Sequence, residues 1–116
     1  MKTLTIAVDI DHTLIDSSDN VYTFEPKPIQ SMIEFVNQLY DQGHTIILYT
    51  ARGMGSMAGQ AHLIPHAFYE KTKKQLDEVG VKYHHLVFGK IHYDYFIDDK
   101  AWNVKDLDLL KEKLLK

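Results

Sequence analysis

The chain has 116 residues, a length that fits one domain with a hydrophobic core and leaves no room for a second. Its formal net charge of -3 argues against broad binding to nucleic acids or membrane surfaces, which requires a basic patch. The absence of cysteine excludes disulfides and thiolate chemistry, and no apolar run approaches the roughly 20 residues that a membrane helix needs. We therefore expect a single cytoplasmic domain that spans residues 1–116.

The first apolar run ends in two carboxylates. Residues 4–8 predict a buried strand, and Asp9 and Asp11 follow at its end. Because alternate residues of a strand point to the same side, the two side chains leave it together, and like charges held close need a cation between them. The pair therefore indicates a functional site.

A loop and a helix are predicted next. Residues 14–27 are rich in turn formers and predict a loop or small hairpin, a flap near the exit of the first strand. Prolines close this flap and open a helix, and Gly43 ends it. The apolar residues of the helix recur on one face, at Ile29, Met32, Ile33, Val36 and Tyr40.

The middle of the chain predicts a strand, a loop and a second helix. Residues 44–50 form a short β-branched run that is typical of a parallel strand covered on both faces. The glycine-rich residues 51–62 predict a mobile loop. A helix is expected to begin near residues 63–65 and to end at Val79, before Gly80.

Two further strands and a helix complete the chain. Residues 81–88 predict a third strand centred on 85–88, and residues 93–97 a fourth. Asn103 is a natural N-cap for a last helix, whose inward residues are Val104, Leu107, Leu110 and Leu114. This order of elements predicts an α/β domain with a mainly parallel sheet of about four to five strands and right-handed crossovers.

Polar residues follow four of the predicted strands, directly after their carboxyl ends. They are Asp9 and Asp11, Thr50, Lys90, and Asp98 with Asp99. Open α/β sheets bind ligands in the crevice at these ends, so the four groups are expected to converge. The carboxylates are the hard ligands that Mg²⁺ prefers, while a hydroxyl and an ammonium group suit a phosphoryl group. The spacing thus predicts a pocket for a metal ion and a phosphate.

These residues together resemble the motifs of the haloacid dehalogenase-like phosphatases. Asp9-Ile10-Asp11-His12-Thr13 is similar to the first motif, DxDxT, although many members have glycine where this chain has His12. Thr50, Lys90 and the Asp98-Asp99 pair resemble the second, third and fourth motifs, in the family's order. The resemblance covers nearly the whole chain and implies a Rossmann-like three-layer sandwich.

The resemblance also implies roles for individual residues. Asp9 would be a nucleophile that is transiently phosphorylated, and Asp11 would act as the acid and then as the base. Thr50 and Lys90 would bind the phosphoryl oxygens, and the loop residue Arg52 is a further candidate for binding substrate phosphate. The expected cofactor is Mg²⁺, with its ligands at Asp9, at the backbone carbonyl of Asp11, and at Asp98 or Asp99, of which either could be the direct ligand.

The intervals between motifs hold a short flap and a loop with one helix, too little for the cap domain that the family usually inserts. The resemblance therefore implies a capless hydrolase with an open site, and a homo-oligomer is a way to cover it. The stretches 49–53, 88–90 and 97–101 are also similar to small phosphatase-like proteins of bacterial capsule and lipopolysaccharide gene clusters. The predicted substrate is a phosphorylated small metabolite such as a sugar phosphate.

The sequence is also compatible with other functions. The same site could transfer a phosphoryl group to another hydroxyl or act on the end of a macromolecule, and a non-catalytic phosphate-binding partner in a polysaccharide biosynthesis complex is a third alternative. The histidines at 84, 85 and 92, or at 62 and 66, are weak zinc candidates, because no HExxH or Cys/His framework accompanies them. A membrane or nucleic-acid partner is not expected.

Overall fold

A computed structural model describes residues 2–17, 27–52, 66–91 and 93–115 of the chain. In chain order they form β1 (Thr5–Asp9), α1 (Gln30–Asp41), β2 (Thr45–Thr50), α2 (His66–Val79), β3 (His85–Phe88), and α3 (Leu107–Leu114) after a short 3₁₀ turn at Val104–Asp106. The domain is therefore a small α/β fold, as the order of apolar patterns predicts.

The three strands form one parallel sheet in the order β1-β2-β3. In β1 and β2, Val8 lies opposite Leu48, and on the other side of β2 Leu48 lies opposite Leu86. All three strands run in the same direction, so their carboxyl ends meet at one edge of the sheet. This edge is where the predicted site residues of β1, β2 and β3 come together.

The central strand β2 is covered unequally on its two faces. Ile46, Leu48 and Thr50 are completely buried, whereas Ile47 and Tyr49 are only half-buried. The expectation that both faces of this strand are fully covered is therefore correct for one face only. The alternation places the Thr50 side chain on the side of the main hydrophobic core.

Helix α1 confirms the predicted apolar face in part, because Ile29 and Tyr40 are only half-buried. It contributes five side chains to the core, namely Met32, Ile33, Phe35, Val36 and Leu39, all of them buried. The chain turns back into β2 at Gly43, whose φ of +94° lies in the left-handed region that glycine adopts without steric penalty. The helical spacing of apolar residues and the glycine that follows them therefore predict the position of this helix correctly.

The last two helices both pack against the core, and the apolar residues of α3 that do so are only partly buried. In α2, Leu76 is completely buried, and the rings of Phe68 and Tyr69 contact Phe88 of β3 at centroid distances of 6.4 Å and 5.6 Å. Before α3, the side chain of Asn103 accepts a hydrogen bond from the backbone N–H of Lys105 at 2.9 Å. Asn103 therefore caps the 3₁₀ turn that leads into α3, whereas the N-cap residue of α3 itself is Asp106.

The predicted fourth strand is not formed. Residues 93–97 pair with no strand among the described residues, and Tyr95 and Ile97 expose 90% and 97% of their surface. Within the described part of the chain the sheet has three strands instead of the predicted four to five. Aromatic and β-branched residues favour an extended strand locally, but a strand forms only where a partner edge is in contact.

Parts of two predicted loops lie outside the described residues. These are residues 18–26 of the predicted flap, 53–62 of the glycine-rich loop, and the start expected for the second helix at 63–65. The two ends of the flap are joined: the backbone N–H of Asp16 donates to the carbonyl of Lys27 at 2.8 Å, and Ile15 pairs with Pro28. Among the described residues, no helix has the length and apolar character required to cross a membrane.

Candidate active site

An ion pair lies at the carboxyl edge of the sheet, between the ends of β1 and β3. Asp9 is the last residue of β1, and its Oδ1 lies 3.4 Å from Nζ of Lys90. The Lys90 backbone N–H donates to the carbonyl of Thr50 at 3.1 Å, which fixes the start of this loop against β2. The Asp9 side chain is 36% exposed, so an incoming group can reach its carboxylate. The structure thus brings the first and third predicted motifs together.

The two members of this pair have shifted pKa values. Burial raises the pKa of Asp9, and the opposing effects of the Lys90 charge and the backbone N–H of Ile10 do not cancel this rise. For Lys90, burial alone would lower the pKa, but a hydrogen bond with Tyr93 and the charge of Asp9 outweigh it and the pKa is raised. Lys90 therefore stays cationic at neutral pH, while the charge of Asp9 is not fully compensated.

A tight turn follows Asp9 and sets the backbone conformation of His12. The N–H groups of Thr13, Leu14 and Ile15 all donate to the carbonyl of Ile10, at 3.3, 2.8 and 3.0 Å. The turn requires a left-handed backbone at His12, whose φ is +64°. Glycine adopts this conformation readily, whereas a residue with a Cβ atom, such as histidine, adopts it at a steric cost. The His12 side chain is exposed.

Asp11 lies within this turn, directly after Ile10, and its carboxylate is bound by a buried arginine. Nη2 of Arg52 lies 2.7 Å from Oδ1 of Asp11, and Nε lies 3.0 Å from Oδ2 and 3.2 Å from Oδ1. The hydroxyl of Ser17 donates to the same Oδ1 at 2.6 Å. Asp11 is thus a carboxylate with donors on both oxygens. From the sequence, Arg52 is a candidate for binding substrate phosphate, whereas no motif marks Ser17 as a site residue.

Thr50 lies at the end of β2 and is completely buried. Its Oγ1 accepts a hydrogen bond from the backbone N–H of Arg52 at 3.0 Å, which holds the first turn of the following loop. Accepting this bond uses a lone pair and leaves the hydroxyl hydrogen to be donated elsewhere. The residue therefore has a local structural role in addition to the phosphate contact predicted for it.

The acidic residues of the fourth motif are not at this site in the described arrangement. Asp98 and Asp99 are exposed and follow the unpaired segment 93–97. No three His, Cys, Asp or Glu side chains of the described residues are grouped so that they could hold a metal ion. The four predicted ligand residues are therefore not grouped into one metal site among the described residues. The uncompensated charge of Asp9 is nevertheless the electrostatic environment that a divalent cation favours.

One of the histidines considered for zinc has a structural role. Nδ1 of His84 accepts the backbone N–H of Ile46 at 3.0 Å, and its ring stacks on Tyr40 at a centroid distance of 4.6 Å. His44 acts similarly, since its Nδ1 accepts the backbone N–H of Leu4 at 3.0 Å. Both side chains therefore bind the amino ends of strands, opposite the edge that carries Asp9. His62 and His92 lie outside the described residues.

Comparison with known proteins supports the fold and leaves the activity open. No family model and no curated protein matches the chain. A target protein from Vibrio cholerae, known from a crystal structure, is similar in structure, with a TM-score of 0.77 and 25% sequence identity. The match covers 96% of this chain and 98% of that chain, so the likeness extends over the whole α/β domain.

Proposed function

We propose that this protein is a Mg²⁺-dependent phosphomonoesterase of the haloacid dehalogenase-like type, with Asp9 as its nucleophile and a phosphorylated small metabolite, such as a sugar phosphate, as its substrate. The proposal rests above all on the contact between Asp9 and Lys90 at the carboxyl edge of a parallel sheet. The absence of cysteine fits a cytoplasmic location, which is part of the same proposal.

The proposed reaction has two steps. The carboxylate of Asp9 attacks phosphorus, and the bond to the leaving oxygen breaks with its electron pair on that oxygen, which takes a proton from Asp11. A water molecule then attacks the aspartyl-phosphate and gives its proton to Asp11, while the phosphorus–oxygen bond to Asp9 breaks and restores the carboxylate. Lys90 and Thr50 bind the phosphoryl oxygens, and bound Mg²⁺ would offset the remaining charge.

We further propose that residues 93–97 form a fourth strand beside β1 when metal and phosphate are bound. The outer edge of β1 pairs with no strand among the described residues, while the apolar side chains of Tyr95 and Ile97 are exposed. A strand added there in parallel would place Asp98 and Asp99 at the edge that carries Asp9. The haloacid dehalogenase-like core with four to five strands would then be complete.

Amide hydrogen exchange tests this strand. Adding Mg²⁺ and a phosphate analogue is expected to slow exchange of the amides at 95–97, because pairing with β1 removes them from water. Ile97→Asp should weaken both this protection and phosphate release, whereas Leu109→Asp, a matched change at another exposed apolar residue on α3, should affect neither. Fast exchange at 95–97 under all conditions would contradict the proposal.

The activity itself is tested by phosphate release from p-nitrophenyl phosphate and then from a panel of sugar phosphates. We expect release that requires Mg²⁺ and stops with EDTA, and trapping of the protein by beryllofluoride as a mimic of the aspartyl-phosphate. Release that is unaffected by EDTA would exclude the proposed metal dependence. Transfer of the phosphoryl group to an added alcohol would instead identify a phosphotransferase.

A phosphate-binding module without turnover is the second candidate. It is favoured by one observation, namely that both carboxylates of the first motif are already paired, Asp9 with Lys90 and Asp11 with Arg52. Such a module would be stabilised by inorganic phosphate but would release none from any substrate in the panel. Phosphate release that depends on Asp9 would exclude it.

A further inference from the structure

His12 is a residue of the first motif to which the proposed reaction gives no role. It lies between Asp11 and Thr13, directly after the proposed acid and base. Among the described residues, His12 is the only one other than glycine whose φ is positive, at +64°. Residues held in this left-handed conformation at a steric cost cluster at active sites and at positions that contact ligands. The backbone conformation thus distinguishes His12 from the other residues near Asp9.

The turn after β1 leaves His12 on its solvent side. Of residues 9–15, three are buried and three are half-buried, and His12 alone is exposed. Its backbone N–H donates to the carbonyl of Ile15 at 2.8 Å, which anchors His12 to the buried part of the turn. The imidazole is therefore accessible to a ligand at the carboxyl edge of the sheet, while its backbone is held in place.

A substrate bound for the proposed reaction extends from Asp9 towards solvent. In phosphoryl transfer, the attacking and leaving oxygens lie on opposite sides of the phosphorus, so the leaving group points away from Asp9. The phosphoryl group takes the space next to Asp9 and Lys90. His12 follows Asp9 by three residues, so their Cα atoms are at most about 11 Å apart. A leaving group larger than a few atoms can therefore reach the exposed imidazole.

We propose that His12 is a specificity-determining residue that donates a hydrogen bond to a hydroxyl group of the leaving group, and thereby favours phosphorylated sugars and other polyols. This inference rests on the proposed function. An imidazole carries at least one N–H in both of its charge states, so the contact does not depend on its protonation. The leaving group of p-nitrophenyl phosphate has no hydroxyl and gains nothing from this donor.

Two variants that keep the turn test this role. Glycine and asparagine adopt the left-handed conformation most readily, so His12→Gly and His12→Asn preserve the backbone and remove the reach of the imidazole. For each sugar phosphate that is hydrolysed, the ratio of its kcat/KM to that of p-nitrophenyl phosphate should fall about threefold to tenfold, the effect of a single hydrogen bond. His85→Asn, at an exposed histidine where β3 begins, should leave this ratio unchanged.

The other outcomes separate the specificity role from the proposed function. An unchanged ratio in both variants, or an equal loss of kcat/KM on both kinds of substrate, would overturn the role of His12, while the phosphatase would stand. Hydrolysis of p-nitrophenyl phosphate and of no sugar phosphate would overturn it as well, because no hydroxylated leaving group would then be used. Absence of phosphate release from every compound by the unmodified protein would overturn the proposed function and, with it, this role.

Discussion

Asp9→Asn is expected to abolish phosphate release and at the same time to make the protein more stable. Loss of activity follows from the loss of the attacking carboxylate, because an amide is a poor nucleophile toward phosphorus. Removing a covalent nucleophile typically costs orders of magnitude, so we expect a rate below about a thousandth of the original. The rate is measured with p-nitrophenyl phosphate at saturating Mg²⁺.

The gain in stability follows from the raised pKa of Asp9. Burial makes the charged carboxylate less favourable in the folded protein than in the unfolded chain, and Lys90 compensates only in part. In the folded protein, Asp9 therefore keeps its proton to higher pH than in the unfolded chain. The free energy of unfolding falls as the pH rises from the ordinary pKa of 3.8 through the raised pKa of the folded state. At neutral pH the charged form is destabilising, and asparagine removes this charge.

Thermal unfolding at pH 7 without divalent cations measures the effect, and Glu34→Gln on the exposed face of α1 is the matched control. We expect a higher Tm for Asp9→Asn and no change of Tm or activity for Glu34→Gln. Mg²⁺ should reverse the order by stabilising the unmodified protein more than the variant. A lower Tm for Asp9→Asn in the absence of metal would show that the Lys90 contact outweighs the burial of the carboxylate.

The structure also indicates which features a sequence can reveal. Helix α1 was predictable because its buried residues recur at helical spacing, and the cap at Asn103 because it depends on a bond to Lys105, two residues away. The contact between Asp9 and Lys90 follows from topology, since parallel strands end at one edge. These features depend on local pattern or on the order of elements, and both can be read from one chain.

Other features depend on contacts between remote residues. Residues 93–97 have the composition of a strand, but pairing is decided by the partner edge and not by the segment itself. Arg52 and Asp11 are separated by 41 positions, and the glycine-rich sequence around Arg52 favoured an exposed loop. The structure instead buries this side chain and directs it at Asp11. Ser17 lies six positions after Asp11, a spacing that indicates contact only once the turn at His12 is known.

Lys90→Gln is expected to lower activity strongly and to shift its dependence on pH. The ammonium group lies 3.4 Å from Asp9 and is the only cation within 4 Å of that carboxylate in the described part of the chain. Loss of a group that stabilises developing charge on a phosphoryl oxygen typically lowers kcat by about 10²- to 10³-fold. We expect a fall of that order in phosphate release at pH 7.

The pH dependence identifies the cause of this loss. The charge of Lys90 lowers the pKa of Asp9, so its removal lets the pKa rise further. Because only the charged form of Asp9 attacks, the acid limb of the kcat/KM profile should move to higher pH. Lys90→Arg keeps the positive charge and should leave this limb in place, although the altered geometry lowers the rate.

Tyr93→Phe tests how far the pKa of Lys90 depends on its hydrogen bond with Tyr93. The hydrogen bond with Tyr93 raises the pKa of Lys90, whose Nζ lies 5.2 Å from the centre of the Tyr93 ring. Removing the hydroxyl should lower the pKa of Lys90 and move the alkaline limb of the kcat/KM profile to lower pH, without affecting the acid limb.

If Lys90→Gln lowered the rate equally at every pH, Lys90 would act on the phosphate alone, and Asp9 would not depend on it for its charge.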